Sequence, residues 1–228
     1  MTSSLTPKAQ RTRAQLLDTA LELFADQGYA STTMRQIAQR SGRSTGLIYR
    51  YFDRKESLVM ALYERLAHQL HQHVFEDLPA GGSLGARFGQ AMRWKMEGMQ
   101  PHKETLGAMF ASMFETASPI GVFSGHNAPV RRVARQSFAH VVREADDVPD
   151  AMDHALLGDV LYMAHLLVVL VWLLDQTPDS RATHRLIDLS EQALVSAWPV
   201  LRMILGLGAA LAQLSAVFEE LEASEEAP

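Results

Sequence analysis

The chain has 228 residues, 47% of them hydrophobic and 21% charged, which excludes a disordered or collagen-like polymer and leaves ample material for a buried core. It holds no cysteine, so disulfide frameworks, thiolate nucleophiles and Cys-based metal sites are excluded. The net charge of −5 is uneven: residues 1–60 carry nine Lys/Arg against five Asp/Glu, and the rest carry twelve against twenty-one, a basic end on an acidic body.

The dominant period is helical, and an all-α fold is expected. Residues 7–27 place Leu17, Ala20, Leu21 and Phe24 on one face, with Thr6-Pro7 as a start and Gly28 as a stop. Thr33 to Gln36 reads as a capping box opening a short helix that ends near Gly42. Ser44 caps a second short helix that turns Ile48 and Phe52 inward. A long helix over 54–77 follows, with the stripe Leu58, Leu62, Leu66, Leu70 and Val74. Pro79 to Ser83 breaks the chain. Further helices are predicted from Leu84 to Pro101, over 106–114 and over 130–145, with a loop from Ser118 to Pro129. Two strongly apolar helices, about 151–175 and 181–205, and an amphipathic segment over 208–222 complete the chain.

The stretch STTMRQIAQRSGRSTGLIYRYFDRKESL, residues 31–58, carries the most information. Two short helices joined by a tight turn at Gly42 form a helix-turn-helix, whose second helix fits a DNA major groove. Gly46 lets backbone and bases approach closely, and Thr45 can bond a base edge or pack on a thymine methyl. Arg43 can reach a base or a phosphate. Thr33, Tyr49, Tyr51 and Lys55 suit phosphate clamping on either side of the groove. No Walker loop, GxGxxG or Ser-His-Asp arrangement occurs in the chain, so no enzyme activity is expected.

The stretch from Arg11 to Leu62 resembles the DNA-binding domain of TetR-family transcriptional regulators. The likeness rests on the Arg-rich first helix ending Phe24…Gly28-Tyr29, on Thr32-Thr33, Ile37-Ala38 and Gly42, on Ser44…Gly46…Ile48-Tyr49…Tyr51-Phe52, and on Lys55-Glu56-Ser57-Leu58. The resemblance implies a three-helix DNA-binding domain over 9–69, with its helix-turn-helix at about 32–51. It implies a larger helical domain over 70–228 that binds a small molecule and dimerises, with the ligand lowering operator affinity. By position, Thr33, Ser44, Thr45, Gly46, Tyr49, Tyr51 and Lys55 fall where the family contacts DNA. Leu47 is apolar where some members carry a polar base reader, and Arg50 can take a phosphate instead.

The body is rich in Met and aromatic residues at helical spacing. With the resemblance, Phe88, Met92, Trp94, Met96, Met109, Phe110, Met113 and Phe114 become candidate walls for an apolar or aromatic effector. His126, Tyr162, His165 and Asp159 are candidate polar anchors. His68, His71 and His73 lack the carboxylate of a zinc motif, so no metal and no cofactor are expected. Residues 155–174 are long enough to span a bilayer but contain Asp159 and His165, so no membrane partner is expected. The surplus apolar surface of 151–175 and 181–205 predicts a homodimer, and paired reading helices predict a palindromic operator. The start MTSSLTPKAQRTRAQ lacks a secretory h-region, and a cytoplasmic location is expected. A repressor is the first reading; an activator, a ligand-independent regulator, or a small-molecule carrier with a vestigial DNA-binding head are the alternatives.

Overall fold

The computed structural model describes residues 6–108, 121, 124–149 and 152–204, with backbone alone at 126 and over 197–204. The described elements are helical, as the periodicity predicts. Helix α1, Pro7–Gln27, starts where the Thr6 hydroxyl accepts a bond from the Ala9 N–H, with Pro7 in the first turn. It buries Leu17, Ala20, Leu21 and Phe24. A Thr33–Gln36 capping box opens α2, Met34–Arg40, whose Ile37 and Ala38 enter the core. Gly42 then turns the chain at φ 65°, a left-handed conformation that glycine adopts without a Cβ clash. Helix α3, Thr45–Tyr51, is capped by Ser44 and anchored by fully buried Ile48.

Helix α4 runs from Lys55 to Gln72 and is followed by a π turn over His73–Asp77. The helix predicted over 54–77 therefore widens in its last turn. The wider turn keeps Val74 in the core and leaves Phe75 to stack on His140 at 3.9 Å and His73 on Trp94 at 4.2 Å.

The chain forms two compact units. The first holds residues up to Arg65 together with α6, Lys103–Ala108; the second holds Leu66 to Gln100 and residues from 124 onward. The boundary expected at 69/70 falls inside α4, and α6 joins the first unit because it packs on α1. Of the helix predicted over 106–114, the residues beyond 108 lie outside the described residues, as does 208–222.

The second unit contains α5 (Leu84–Met99), α7 (Ala128–Arg143), α8 (His154–Leu174) and α9 (Arg181–Ile204). Helix α7 starts two residues before the predicted 130, because Pro129 is suited to a first turn. Helices α7 and α8 pack closely at Gly158, where a Cβ would come within 2.9 Å of the Ala139 Cα. Beside that contact Arg135 donates to both carboxylate oxygens of Asp159 at 2.7 Å. Helix α5 packs on α9, where Arg93 bonds Asp188 at 2.9 Å and Glu191 at 2.6 Å.

By length and composition α8 is apolar enough to cross a membrane, with a mean hydropathy of 2.1. One face buries Leu161, Tyr162, His165, Val168 and Trp172 within the second unit. Leu167 and Leu174 remain 52% and 60% exposed, and on α9 Leu189 and Val195 remain 59% and 48% exposed.

Candidate functional site

The first unit presents α3 as an exposed rod on a fixed base. Ile48 at 0% exposure and Phe52 at 1% hold it from below. Arg43, Ser44, Thr45, Gly46, Tyr49 and Arg50 are exposed, Tyr49 at 51%, and Tyr51 is half-buried. Thr33 is also exposed, its hydroxyl donating to Gln36 Oε1 at 2.8 Å within the capping box. The Ser44 hydroxyl accepts from the Leu47 N–H at 3.2 Å. These side chains can meet a polyanion without disturbing the core.

Lys55 differs from its expected role as a phosphate clamp. Its ammonium donates to the main-chain carbonyls of Tyr29 at 2.6 Å, Thr32 at 2.9 Å and Ala30 at 3.4 Å. It also sits 4.2 Å from the Tyr29 ring centroid. The three N–H donors are thus spent on the loop after α1, and Lys55 braces the start of α2 from the first turn of α4. Burial lowers the Lys55 ammonium, opposed by nearby Glu56. Burial and Glu56 together raise the Tyr29 phenol to about 12. Arg13 ties α1 to α4 through Glu64 at 2.9 Å, and Arg65 does so through Asp18 at 2.6 Å.

In the second unit the sequence-predicted ligand residues divide. Phe88, Met92 and Met96 are buried on α5, and the Phe88 ring lies 5.9 Å from that of Phe138. Tyr162 and His165 are buried on α8, with the His165 ring 5.1 Å from Phe138 and 5.6 Å from Tyr162. Trp94 does not join them; it is half-buried and stacked on His73. Met109, Phe110, Met113 and Phe114 lie outside the described residues, as does the side chain of His126. Asp159 is engaged by Arg135 at a cavity of about 310 Å³, which Arg131, Arg132, Gln136 and Ala155 also line.

The residue that sequence reasoning passed over is Lys95. It is 9% exposed, and its Nζ lies 2.6 Å from His165 Nε2. Burial pushes the ammonium down to about 7. His165 is held well below its usual range by burial and then by Lys95. A signal was present: Lys95 follows Phe88 by seven residues and Met92 by three, on the apolar stripe of α5. His71 Nδ1 lies 3.2 Å from the Ser137 hydroxyl, and His73 Nδ1 lies 3.4 Å from Asp77.

Residues 16–62 match the family model of bacterial regulatory proteins, tetR family. That match falls within the N-terminal unit and spans the helix-turn-helix. The HTH-type transcriptional regulator TtgR of Pseudomonas putida is 42% identical over 67 residues, 29% of this chain and 31% of that one. The chain thus aligns with about a third of the length of such relatives. Solved TetR-family structures match far more of the fold. A tetR-family transcriptional regulator from Streptomyces coelicolor has a TM-score of 0.58 at 24% identity, covering 91% of this chain and 89% of its own. Thermus thermophilus FadR, a TetR-family transcriptional repressor in complex with lauroyl-CoA, has a TM-score of 0.56 at 19% identity, covering 80% and 93%. These likenesses show a shared helical fold.

Proposed function

We propose that the chain is a ligand-responsive DNA-binding transcriptional regulator, a repressor released from a palindromic operator by a small apolar or aromatic effector. The observation that carries this reading is α3: a buried Ile48 and Phe52 beneath an outward row of Thr45, Gly46, Tyr49 and Arg50, inside the segment that matches the family. Thr45 and Gly46 approach the bases, while Thr33, Arg43, Tyr49, Arg50 and Tyr51 hold the flanking phosphates. Lys55 contributes by holding the loop before α2. Two copies joined through α8 and α9 bury the exposed leucines and present two reading helices to successive grooves. The effector enters the helical body lined by Phe88, Met92, Met96, Tyr162 and His165. The lauroyl-CoA bound by Thermus thermophilus FadR supports a body of this kind taking an apolar molecule. The effector acts by preferring one arrangement of the dimer, and α4, which runs across the unit boundary, carries the change to the reading helices. Such a protein works in the cytoplasm and performs no catalysis.

The test is a selection from random duplexes with the full-length chain, followed by anisotropy titration. A palindromic sequence should be enriched, and its affinity should fall about a thousandfold or more between low and moderate salt if six to ten phosphates are contacted. Arg43→Ala and Tyr49→Ala should each weaken binding about tenfold or more while the dimer persists. Failure to enrich any sequence, or operator binding unchanged in both variants, overturns the reading.

A further inference from the structure

We infer that Lys95 is the anchor for a carboxylate carried by the effector, with His165 as the residue that positions it. This rests on the ligand-binding reading above and names the chemical class of the ligand. An ammonium has three N–H donors. One meets His165 Nε2 at 2.6 Å, and no other described residue accepts from Lys95. The His165 Nδ1 lies 3.3 Å from the Tyr162 carbonyl, an acceptor, so Nδ1 keeps its proton and Nε2 receives the lysine. That bond aims the ammonium and leaves two donors unmet in the interior. No described carboxylate acts on Lys95 or His165. A buried cation in that state lacks both a counter-charge and acceptors, and burying it costs free energy until they are supplied. A ligand carboxylate supplies both. The rings of Phe138 and Tyr162 lie against His165, and that of Phe88 against Phe138, so the side chains beside this pair are apolar or aromatic, as the remainder of such a molecule would need. An alcohol of the same shape would satisfy an N–H and leave the charge uncompensated.

Calorimetric titration of the full-length chain with decanoate against decan-1-ol, and with phenylacetate against 2-phenylethanol, reads this directly. At least one acid should bind about tenfold or more tightly than its alcohol. Lys95→Met should abolish that preference, and Lys95→Arg should restore part of it. Acids that bind no better than their alcohols, or a preference that survives Lys95→Met, overturn the assignment. The preference is measured on the unaltered chain, so it holds as a test even if a variant fails to fold. Calorimetry involves no DNA. An acid that binds through Lys95 without loosening the operator leaves the anchor standing and overturns the ligand-responsive reading instead.

Discussion

Lys95 titrates at about 7 in the folded chain, whereas an unfolded lysine titrates at about 10.4. Between those values the unfolded state binds the extra proton, so stability rises with pH across that window and the full penalty is present below it. Lys95→Met removes the penalty. The variant should therefore be more stable than the parent at pH 7, by on the order of a few kcal/mol. The gap should shrink as pH is raised toward 9, as followed by urea unfolding. An equal gap at both pH values would mean that the ammonium is compensated in the unliganded protein. A basic side chain here was visible in the sequence as a charge on an apolar stripe, but its partner was not. His165 lies seventy residues away, and only packing brings the two together. Lys55 makes the same point in reverse. Its position suggested a phosphate clamp, and the tertiary fold gives its donors the carbonyls of Tyr29, Ala30 and Thr32 instead.

The helices themselves were largely legible. Caps and stops at Thr6, Gly28, Thr33 and Ser44 are local chemistry, and each helix start or stop falls where that chemistry places it. The π turn after α4 was not, because it answers to Trp94 and His140, which lie on other helices. Helix packing is equally hidden, since a glycine within an apolar run gives no sign of what approaches it. At Gly158 the neighbour is the α7 backbone at Ala139. Gly158→Val should force α7 and α8 apart and cost about 1–3 kcal/mol, seen as a lowered Tm. Gly98→Ala, at an open position on α5, should leave the Tm unchanged or raise it.

At the scale of the molecule, Leu167 and Leu174 of α8 and Leu189 of α9 are exposed among the described residues. On the proposed dimer through α8 and α9, Leu167→Glu combined with Leu189→Glu should shift the chain to monomer in sedimentation velocity and abolish the proposed operator binding, although both lie far in sequence from α3. A dimer that survives both substitutions would place the interface elsewhere. The surplus of apolar residues in this pair of helices was readable from composition, whereas the placement of α6 was not. Leu106 is 1% exposed on α6, and α6 belongs with α1 in the first unit although α5 precedes it in the second. The first unit is consequently a discontinuous assembly. Excising residues 9–69 as a portable cassette would strip one of its supporting helices, and any graft onto another body must bring the stretch from Pro101 to Ala108 with it.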